Sequence, residues 1–425
     1  MRLALRAIAR TAGSVVTLTV ALAGCSAGRP AASGTSPGPS GGTPSPAAPA
    51  SADAVPASGE PGCSTATAAA PGLRGVPTPM TPVPATPFGV TVAGDGRWAF
   101  VALTGSGTVG VFRVTSRGTP VLARQVTTGG RPLGDALTSD GRYLLVADDA
   151  GGAAVISVGR AESGAPGALL GTLGGRSGGA IEVAVSPGGR FAFVSLEDEG
   201  SIAVYNLRRA LTGGFRASDL VGTIPMGVAP VGMAISPDGR WLYATSEVAS
   251  GLPVVARGRQ GGRGTLSVIS VPRAETDPAG SVVSTVVAGC SPVRAITSAD
   301  GAVVWVTARG SDRLLGFSAT RLRTEPENSL LASVAVGAAP VGLALVNDGK
   351  QIVVADSNRF GAPGAASSLA VVGVAAALAG RPALLGYLRA GGFPREVVLE
   401  PSGRTLLVGN FTSQQLEAVD LAGLP

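Results

Sequence analysis

Short hydrophobic runs separated by glycine-containing turns recur along most of the chain. In the clearest copy, residues 230–245, an apolar run leads into Asp238-Gly239 and then into a second apolar run, Trp241–Thr245. Asp-Gly between two such runs is a strong hairpin signal, because tight turns need positive φ angles that glycine adopts freely and aspartate better than most residues. A third run, 264–271, follows. The unit therefore predicts at least three strands, and it must recur if it is to bury its faces.

The unit occurs seven times, with spacings between 45 and 62 residues. The turn glycines of the copies are Gly96, Gly141, Gly189, Gly239, Gly301, Gly349 and Gly403. Each second strand is almost continuously apolar, which is typical of strands covered on both faces, and a weaker fourth strand follows the third. The pattern predicts an all-β fold, a seven-bladed β-propeller of four-stranded blades. A pair of β-sandwiches is the alternative, but sandwiches do not require seven similar repeats.

Closure of the ring can also be predicted. The seventh repeat leaves room for only three strands before Pro425, and the first repeat is preceded by the proline-rich segment 74–84. Proline is tolerated on an edge strand, where one row of N–H groups faces solvent. We therefore expect segment 74–84 to supply the outer strand of the last blade.

Residues 1–24 carry three arginines followed by an apolar run that is too short to span a bilayer, as in a signal peptide. The sequence Leu22-Ala23-Gly24-Cys25 resembles the lipobox of bacterial lipoproteins. That resemblance implies cleavage before Cys25, lipidation of its thiol and attachment to the cell membrane on the extracytoplasmic side. An ordinary signal peptide is the alternative. Residues 25–72, rich in Ala, Gly, Pro, Ser and Thr, predict a disordered tether, and 73–425 the propeller.

The amino-acid composition excludes several kinds of catalytic, metal-binding and nucleic-acid-binding site. The chain has no histidine, which excludes Ser-His-Asp and Cys-His catalytic sites and any His-ligated metal. We predict no cofactor and no metal site. The net charge is +6, but half of it lies in the leader, and no Lys/Arg cluster is interleaved with aromatic residues. Nucleic acid is therefore not an expected partner.

The pattern Pro-x-Gly-x-Ala-x-Ser-Pro-Asp-Gly-Arg-x-Leu-Tyr-x-Thr of residues 230–245 resembles the YVTN family of β-propeller repeats. The region 75–421 is also similar to the lactonase-type seven-bladed propellers. The resemblance implies the fold, whereas propellers host binding, scaffold and catalytic roles alike. The chain departs from the name motif, since only Thr245 and Thr307 keep the threonine and only Asn410 keeps the asparagine.

Charged residues occur at one position of the strand that lines a propeller channel. The third residues of the repeats are Gly89, Gly134, Glu182, Gly232, Arg294, Gly342 and Glu396. Asp135 and Arg395 are adjacent to this ring. We expect Glu182, Arg294 and Glu396 to converge at the channel mouth and, with Asp135 and Arg395, to bind a polar ligand. Closed ion pairs that hold ordered water are the alternative.

The same face should carry the loops between second and third strands. The longest are Ser246–Gly264, with Arg257, Arg259 and Arg263, and Asp356–Ser367, with Arg359 and Phe360; Glu197-Asp198-Glu199 lies in another. Long loops on one face of a repeat protein often bind a partner, although they can also be tolerated insertions.

Cys63 and Cys290 are the cysteines that remain beyond the leader, and outside the cytoplasm they can form a disulfide. The leading functional hypothesis is a monomeric, lipid-anchored binding module for a protein, glycan or small polar ligand, with an envelope protein or glycan as a possible partner. One alternative is a lactonase-like hydrolase, in which Glu182 or Glu396 acts as acid or base and Arg294 holds an anion. The other is a structural envelope protein.

Overall fold

The computed structural model describes residues 54–63, 65, 67–115, 118–175, 178–249 and 262–425. These residues form seven blades, each built on four antiparallel strands. The strands run in sequential order from the channel outward in blades 1 to 6, whereas the outer strand of blade 7 comes from the N-terminal side of the propeller. Neighbouring innermost strands pack on one another around the ring, including those of blades 7 and 1, which closes it. The predicted seven-bladed β-propeller is therefore confirmed. The predicted signal peptide 1–24 and Cys25 lie outside the described residues.

The strand bounds follow the repeats. From blade 1 to blade 7, the innermost strands are Pro87–Val92, Pro132–Leu137, Ala180–Val185, Val228–Ile235, Pro292–Thr297, Pro340–Val346 and Pro394–Leu399. The second strands are Trp98–Leu103, Tyr143–Asp148, Ala192–Leu196, Trp241–Val248, Val303–Ala308, Gln351–Asp356 and Thr405–Asn410. The third strands are Thr108–Val114, Ala153–Ser157, Ser201–Tyr205, Arg263–Ser270, Arg313–Ser318, Ser368–Gly373 and Gln415–Asp420. The outer strands are Pro120–Thr127, Leu169–Leu173, Leu220–Pro225, Val282–Cys290, Leu330–Ala335, Leu384–Arg389 and, in blade 7, Met80–Pro82.

Short helices follow several third strands, on the face opposite the loops between second and third strands. The α-helices are Val158–Ser163, Leu207–Gly213, Val271–Ala274, Ala319–Thr324 and Val374–Leu378. Single 3₁₀ turns are Pro187–Gly189, Ala217–Asp219, Pro278–Gly280, Arg309–Ser311, Pro326–Asn328 and Leu421–Gly423. In the described ranges, none of the helices has the length and apolar character needed to cross a membrane.

The hairpin turns use the Asp-Gly pair differently from the prediction. In blade 4 the positive φ falls on Gly239, at 70°. Asp238 contributes through its side chain instead, because its Oδ1 accepts a hydrogen bond from Arg240 N at 3.0 Å. Gly239 N donates to Ser236 O at 2.8 Å, which closes a turn in which only glycine needs the left-handed conformation. The turn therefore has one residue with positive φ, whereas we had expected positive φ angles at both Asp238 and Gly239.

The second strands form the centre of each blade. All six residues of Trp98–Leu103 are buried, and Phe100, Phe193 and Trp305 are completely inaccessible to solvent. This agrees with the nearly unbroken apolar runs in the sequence, since each blade is covered on both faces by its neighbours. Replacing a buried aromatic residue of this kind by alanine typically lowers the free energy of unfolding by about 3–5 kcal/mol.

The ring closes as predicted. Met80–Pro82 pairs in antiparallel register with Gln415–Asp420, and Thr81 lies opposite Leu416. Backbone hydrogen bonds on either side extend this strand pairing, since Ala418 N donates to Pro79 O at 2.9 Å. The outer strand of the last blade thus comes from the start of the propeller, so both ends of the ring are held in one sheet.

The described residues between 54 and 72 do not behave as the expected flexible tether. Val55–Pro56 adds a parallel fifth strand to blade 4, beside Val282–Cys290. Ala68 N donates to Val336 O at 3.0 Å in blade 5, and Gly72 bridges to Tyr387 in blade 6. We call residues 54–82, as far as they are described, the N-terminal belt. Its backbone groups pair with outer strands, an interaction that composition alone does not reveal, so the ordered region begins well before residue 73.

Candidate functional site

A β-bulge near the start of every innermost strand shapes the channel wall. In blade 4 the register shifts between Pro230 and Met233, and the other blades repeat the shift. A bulge leaves a backbone N–H out of the ladder and re-aims the local side chains. Gly232 N donates to Thr245 Oγ1 at 3.0 Å, and Glu182 N donates to Ser195 Oγ at 3.0 Å. In blades 3 and 4, hydroxyl residues of the second strands therefore satisfy the N–H groups that the bulges release.

The glycines of the predicted ring are needed because adjacent blades approach closely there. A Cβ atom on Gly89 would lie 2.6 Å from Leu133 O and 2.9 Å from Asp135 Oδ1. On Gly134 it would lie 2.6 Å from Ile181 O and would also meet the Glu182 carboxylate. Each glycine thus makes room for the next blade and for the charged side chain that this blade presents.

Glu182, Arg294 and Glu396 do meet in the channel. Arg294 Nη2 lies 3.0 Å from Glu182 Oε2 and 3.2 Å from Glu396 Oε2, and Arg294 Nε donates to Glu396 Oε2 at 3.2 Å. The three side chains are only 8%, 13% and 20% exposed for Arg294, Glu182 and Glu396, respectively. We call them the channel triad. They are paired with one another, which is the arrangement that we had considered as the alternative to an open site.

Burial and the charges within the triad determine the pKa values of Glu182 and Arg294. Burial raises the pKa of Glu182 to about 7, although the Arg294 guanidinium opposes this shift. Burial alone would lower the pKa of Arg294, but the Glu182 and Glu396 carboxylates together raise it. Arg294 therefore stays charged, whereas Glu182 takes up a proton near neutral pH.

Asp135 lies beside the triad. Its Oδ1 accepts a hydrogen bond from Thr91 Oγ1 at 2.7 Å, while Oδ2 is buried and has no hydrogen-bond partner among the described residues. Burial raises the pKa of Asp135 well above its usual range, and the Glu182 and Glu396 carboxylates add to the shift. Asp135 therefore keeps its proton to a higher pH than an ordinary aspartate does, beside an ion-paired cluster.

A cavity of about 380 Å³ adjoins Asp135 and the channel triad. Its remaining lining includes Val185 and Ile235, the last residues of their innermost strands. The cavity therefore extends toward the Asp-Gly turns, away from the face that carries the long loops. We had expected the charged residues to open onto the loop-bearing face, so the position of the opening needs correction.

Arg395 does not join the channel triad. Its guanidinium carbon lies 3.5 Å from the centroid of the Phe88 ring and 5.9 Å and 5.8 Å from those of Phe393 and Phe411. Burial lowers the pKa of Arg395 to about 9, and the nearby positive charge of Arg294 adds to the shift. Arg395 thus belongs to an aromatic environment at the junction of blades 7 and 1.

Arginines and phenylalanines alternate from this junction across the loop-bearing face. The Arg359 guanidinium carbon lies 5.7 Å from the Phe393 ring and 5.5 Å from the Phe360 ring, and that of Arg309 lies 5.7 Å from the Phe360 ring. We call Arg395, Phe393, Arg359, Phe360 and Arg309 the Arg–Phe row. Distances of this size are typical of cation–π contacts.

Carboxylates adjoin one end of the Arg–Phe row. Arg309 Nη2 lies 2.6 Å from Glu247 Oε2. Burial raises the pKa of the nearby Glu197, as do the charges of Glu247 and Asp198. The sequence had drawn attention to Arg359, Phe360 and the Glu197 loop. It did not reveal that Arg309 and Phe393 extend the same surface, since these residues come from different repeats.

The remaining predicted residues are placed as follows. Arg257 and Arg259 lie outside the described residues, while Arg263 forms an ion pair with Glu60 of the N-terminal belt at 3.1 Å. Cys63 and Cys290 are joined by a disulfide, with a Cα–Cα distance of 5.1 Å. In the described part of the chain, no group of three or more His, Cys, Asp or Glu residues is arranged to hold a metal ion.

Comparison with known proteins supports the fold only. No known family profile and no curated protein matches the sequence. Among solved structures, the chain is similar to hydrazine synthase of Kuenenia stuttgartiensis, with a TM-score of 0.63, 17% identity and coverage of 80% of this chain and 97% of that chain. It is also similar to a chain of a mitotic checkpoint complex, with a TM-score of 0.61, 13% identity and coverage of 84% and 96%. At such low identities the likeness establishes a propeller and carries no function with it.

Proposed function

We propose that this protein is a lipid-anchored, extracytoplasmic β-propeller whose loop-bearing face binds a protein, a glycan or a small polar ligand. The Arg–Phe row is the observation that carries this proposal. It places exposed Arg359 and half-buried rings on one surface, and side chains of this kind are enriched where proteins bind partners.

The proposed location rests on two features. The lipobox resemblance at Leu22–Cys25 implies a membrane anchor at the start of the mature chain. A disulfide between Cys63 and Cys290 fits an oxidising compartment, since disulfides are rare in the cytosol. The resemblance of the repeats to the YVTN family remains part of the proposal.

A lactonase-like hydrolase is the second candidate, and one observation favours it. The pKa of Glu182 is raised to about 7, which suits a general acid or base at neutral pH. Against this, Arg294 pairs with both Glu182 and Glu396, so the two carboxylates would have to leave that cation before they acted on a substrate. Binding without turnover is therefore the better-supported function.

Localisation and anchoring can be tested in cells that express the full chain with radiolabelled palmitate. We expect label in the wild-type protein, no label in Cys25→Ser, and protease access from outside the cell. An unlabelled wild-type protein, or one that is protected from external protease in intact cells, would contradict the proposal. Cys63→Ser serves as the control, because it leaves the proposed lipidation site intact.

Binding and turnover can be separated with one panel of compounds. Purified mature protein is mixed with neutral sugars, sugar acids, amino acids and lactones, and the thermal midpoint and any product are measured. We expect some compounds to raise the midpoint without turnover, and Arg359→Ala to abolish the increase while Arg208→Ala, on the opposite face, keeps it. Lactone hydrolysis that is lost in Glu182→Gln would instead establish the hydrolase.

A further inference from the structure

We propose that the Arg–Phe row binds a small organic monocarboxylate, whose charged end lies on Arg359 and Arg395 and whose apolar part lies on the phenylalanine rings. The inference rests on the proposed function and names the ligand class of the same face. It is carried by the positions of the arginines, their incomplete ion pairing and the spacing of the rings.

Only one arginine of the row has an acidic partner at close range. Arg309 pairs with Glu247, whereas within the described ranges Arg359 and Arg395 have no carboxylate at ion-pair distance. Arg395 Nε is buried and has no hydrogen-bond partner among the described residues. A buried donor without an acceptor is costly, because it has lost water without replacement. A ligand oxyanion at this point would satisfy it.

The arginines also repel one another. Partial desolvation lowers the pKa of Arg359, although its side chain still reaches solvent, and the charge of Arg309 lowers the pKa further. The pKa of Arg395 is lowered by burial first and then by Arg294, with Arg309 and Arg359 as smaller contributors. An anion placed among these guanidinium groups relieves both the desolvation and the repulsion, so the row favours negative charge over neutral or positive ligands.

The distribution of charge favours a ligand with one negative charge. Glu247 pairs with Arg309 at one end of the row, and Glu197 and Asp198 lie nearby, whereas Arg359 and Arg395 have no carboxylate at ion-pair distance among the described residues. A monoanion can lie on Arg359 and Arg395, whereas a phosphate dianion would bring more negative charge toward these carboxylates. Guanidinium also matches a planar carboxylate with two parallel hydrogen bonds.

The rings define the other half of the ligand. Phe393 lies between Arg395 and Arg359, and Phe360 lies between Arg359 and Arg309, so each cation is next to an aromatic face. A flat or apolar group beside the carboxylate would cover these half-buried rings and exclude water from the ion pair. An aromatic acid meets both requirements.

The test is isothermal titration calorimetry of the purified mature protein with benzoate, with its neutral analogue benzamide and with inorganic phosphate. We expect benzoate to bind more tightly than either comparison compound, and more weakly as salt concentration rises. Loss of one charged hydrogen-bonding partner should weaken benzoate binding roughly 10-fold or more in Arg359→Ala. Arg359 is exposed, so this variant should fold normally, and Arg208→Ala should bind as the wild type does.

Four results would overturn the assignment. Equal binding of benzoate and benzamide would show that charge plays no part, and tighter binding of phosphate would show that the ligand class is wrong. If Arg359→Ala still binds benzoate as the wild type does, the carboxylate site lies elsewhere on the protein. A neutral sugar that raises the thermal midpoint in an Arg359-dependent manner, with no carboxylate binding, would preserve the proposed binding face and reject the carboxylate.

Discussion

Arg294 Nη2 lies 3.0 Å from Glu182 Oε2, so a buried ion pair joins blade 5 to blade 3, which are not neighbours in the ring. Glu396 of blade 7 shares the same guanidinium. The channel triad is therefore a cross-link between three blades as well as a cluster of charges. Substitutions in the triad should therefore lower the free energy of unfolding more than they weaken binding at the loop-bearing face.

Arg294→Ala should destabilise the protein by about 3 kcal/mol at pH 7, because it leaves Glu182 and Glu396 buried without their shared cation. Urea unfolding measures the loss. The matched control combines Arg294→Met with Glu182→Gln and Glu396→Gln, which removes the three charges together and should recover much of the stability. If Arg294→Ala unfolds at the wild-type urea concentration, the triad does not cross-link the blades.

The pH dependence of stability should report on Glu182. Its folded-state pKa is about 7, against an ordinary value of 4.5, so between these values the folded protein keeps a proton that the unfolded chain releases. The stabilisation is complete below pH 4.5 and is lost as pH rises through about 7. Over that interval the wild type should lose roughly 3 kcal/mol more than Glu182→Gln, which has no proton to release.

Chemical denaturation at several pH values between about 4.5 and 8 checks this difference. Both proteins keep Asp135, whose raised pKa gives a slope of the same sign, so only the difference between the curves is assigned to Glu182. Parallel curves would contradict the assignment. A wild-type protein that gains stability relative to the variant as pH rises would contradict its sign.

The sequence predicts the fold well because each blade is local. The turn glycine and apolar second strand of blade 4 lie within Pro230–Thr245, and the same pattern recurs with little change in the other repeats. Even the convergence of Glu182, Arg294 and Glu396 follows from repeat alignment, since equivalent positions of a ring face a common axis.

The sequence does not predict how these groups pair or which neighbours they have. Arg395 was grouped with the triad because it precedes Glu396, but adjacent strand residues point in opposite directions, and Arg395 stacks on Phe88 of the next blade. The part of the N-terminal belt before residue 73 was missed for a related reason. Its contacts are mainly backbone pairings with outer strands of distant repeats, and such pairings leave no pattern in a Pro- and Ala-rich segment.

Cys63→Ser should lower stability by about 2–4 kcal/mol, because the disulfide closes a loop with a sequence separation of 227 and so restricts the unfolded chain. Guanidinium unfolding of the variant under non-reducing conditions measures the effect. Reduction of the wild type should produce a similar loss, while reduction of Cys63→Ser should change nothing further. An unchanged unfolding midpoint in both experiments would mean that the covalent link does not hold the belt.

Removal of residues 1–83 should prevent cooperative folding, whereas removal of residues 1–53 should not. The longer deletion removes Met80–Pro82, which leaves the third strand of blade 7, Gln415–Asp420, as an unpaired edge. Exposed edges pair with other chains, so the shortened protein should aggregate and melt broadly at lower temperature. Light scattering and thermal unfolding of the two shortened proteins compare these outcomes.

The longer deletion also removes Cys63, so the disulfide needs its own control. A chain that begins at residue 54 and carries Cys63→Ser lacks the covalent link but keeps the strand that closes the ring. We expect it to unfold cooperatively at a lower midpoint, unlike the chain that begins at residue 84. If the latter also unfolds cooperatively, strand exchange between the two ends of the propeller is dispensable, and packing of neighbouring innermost strands alone holds blades 7 and 1 together.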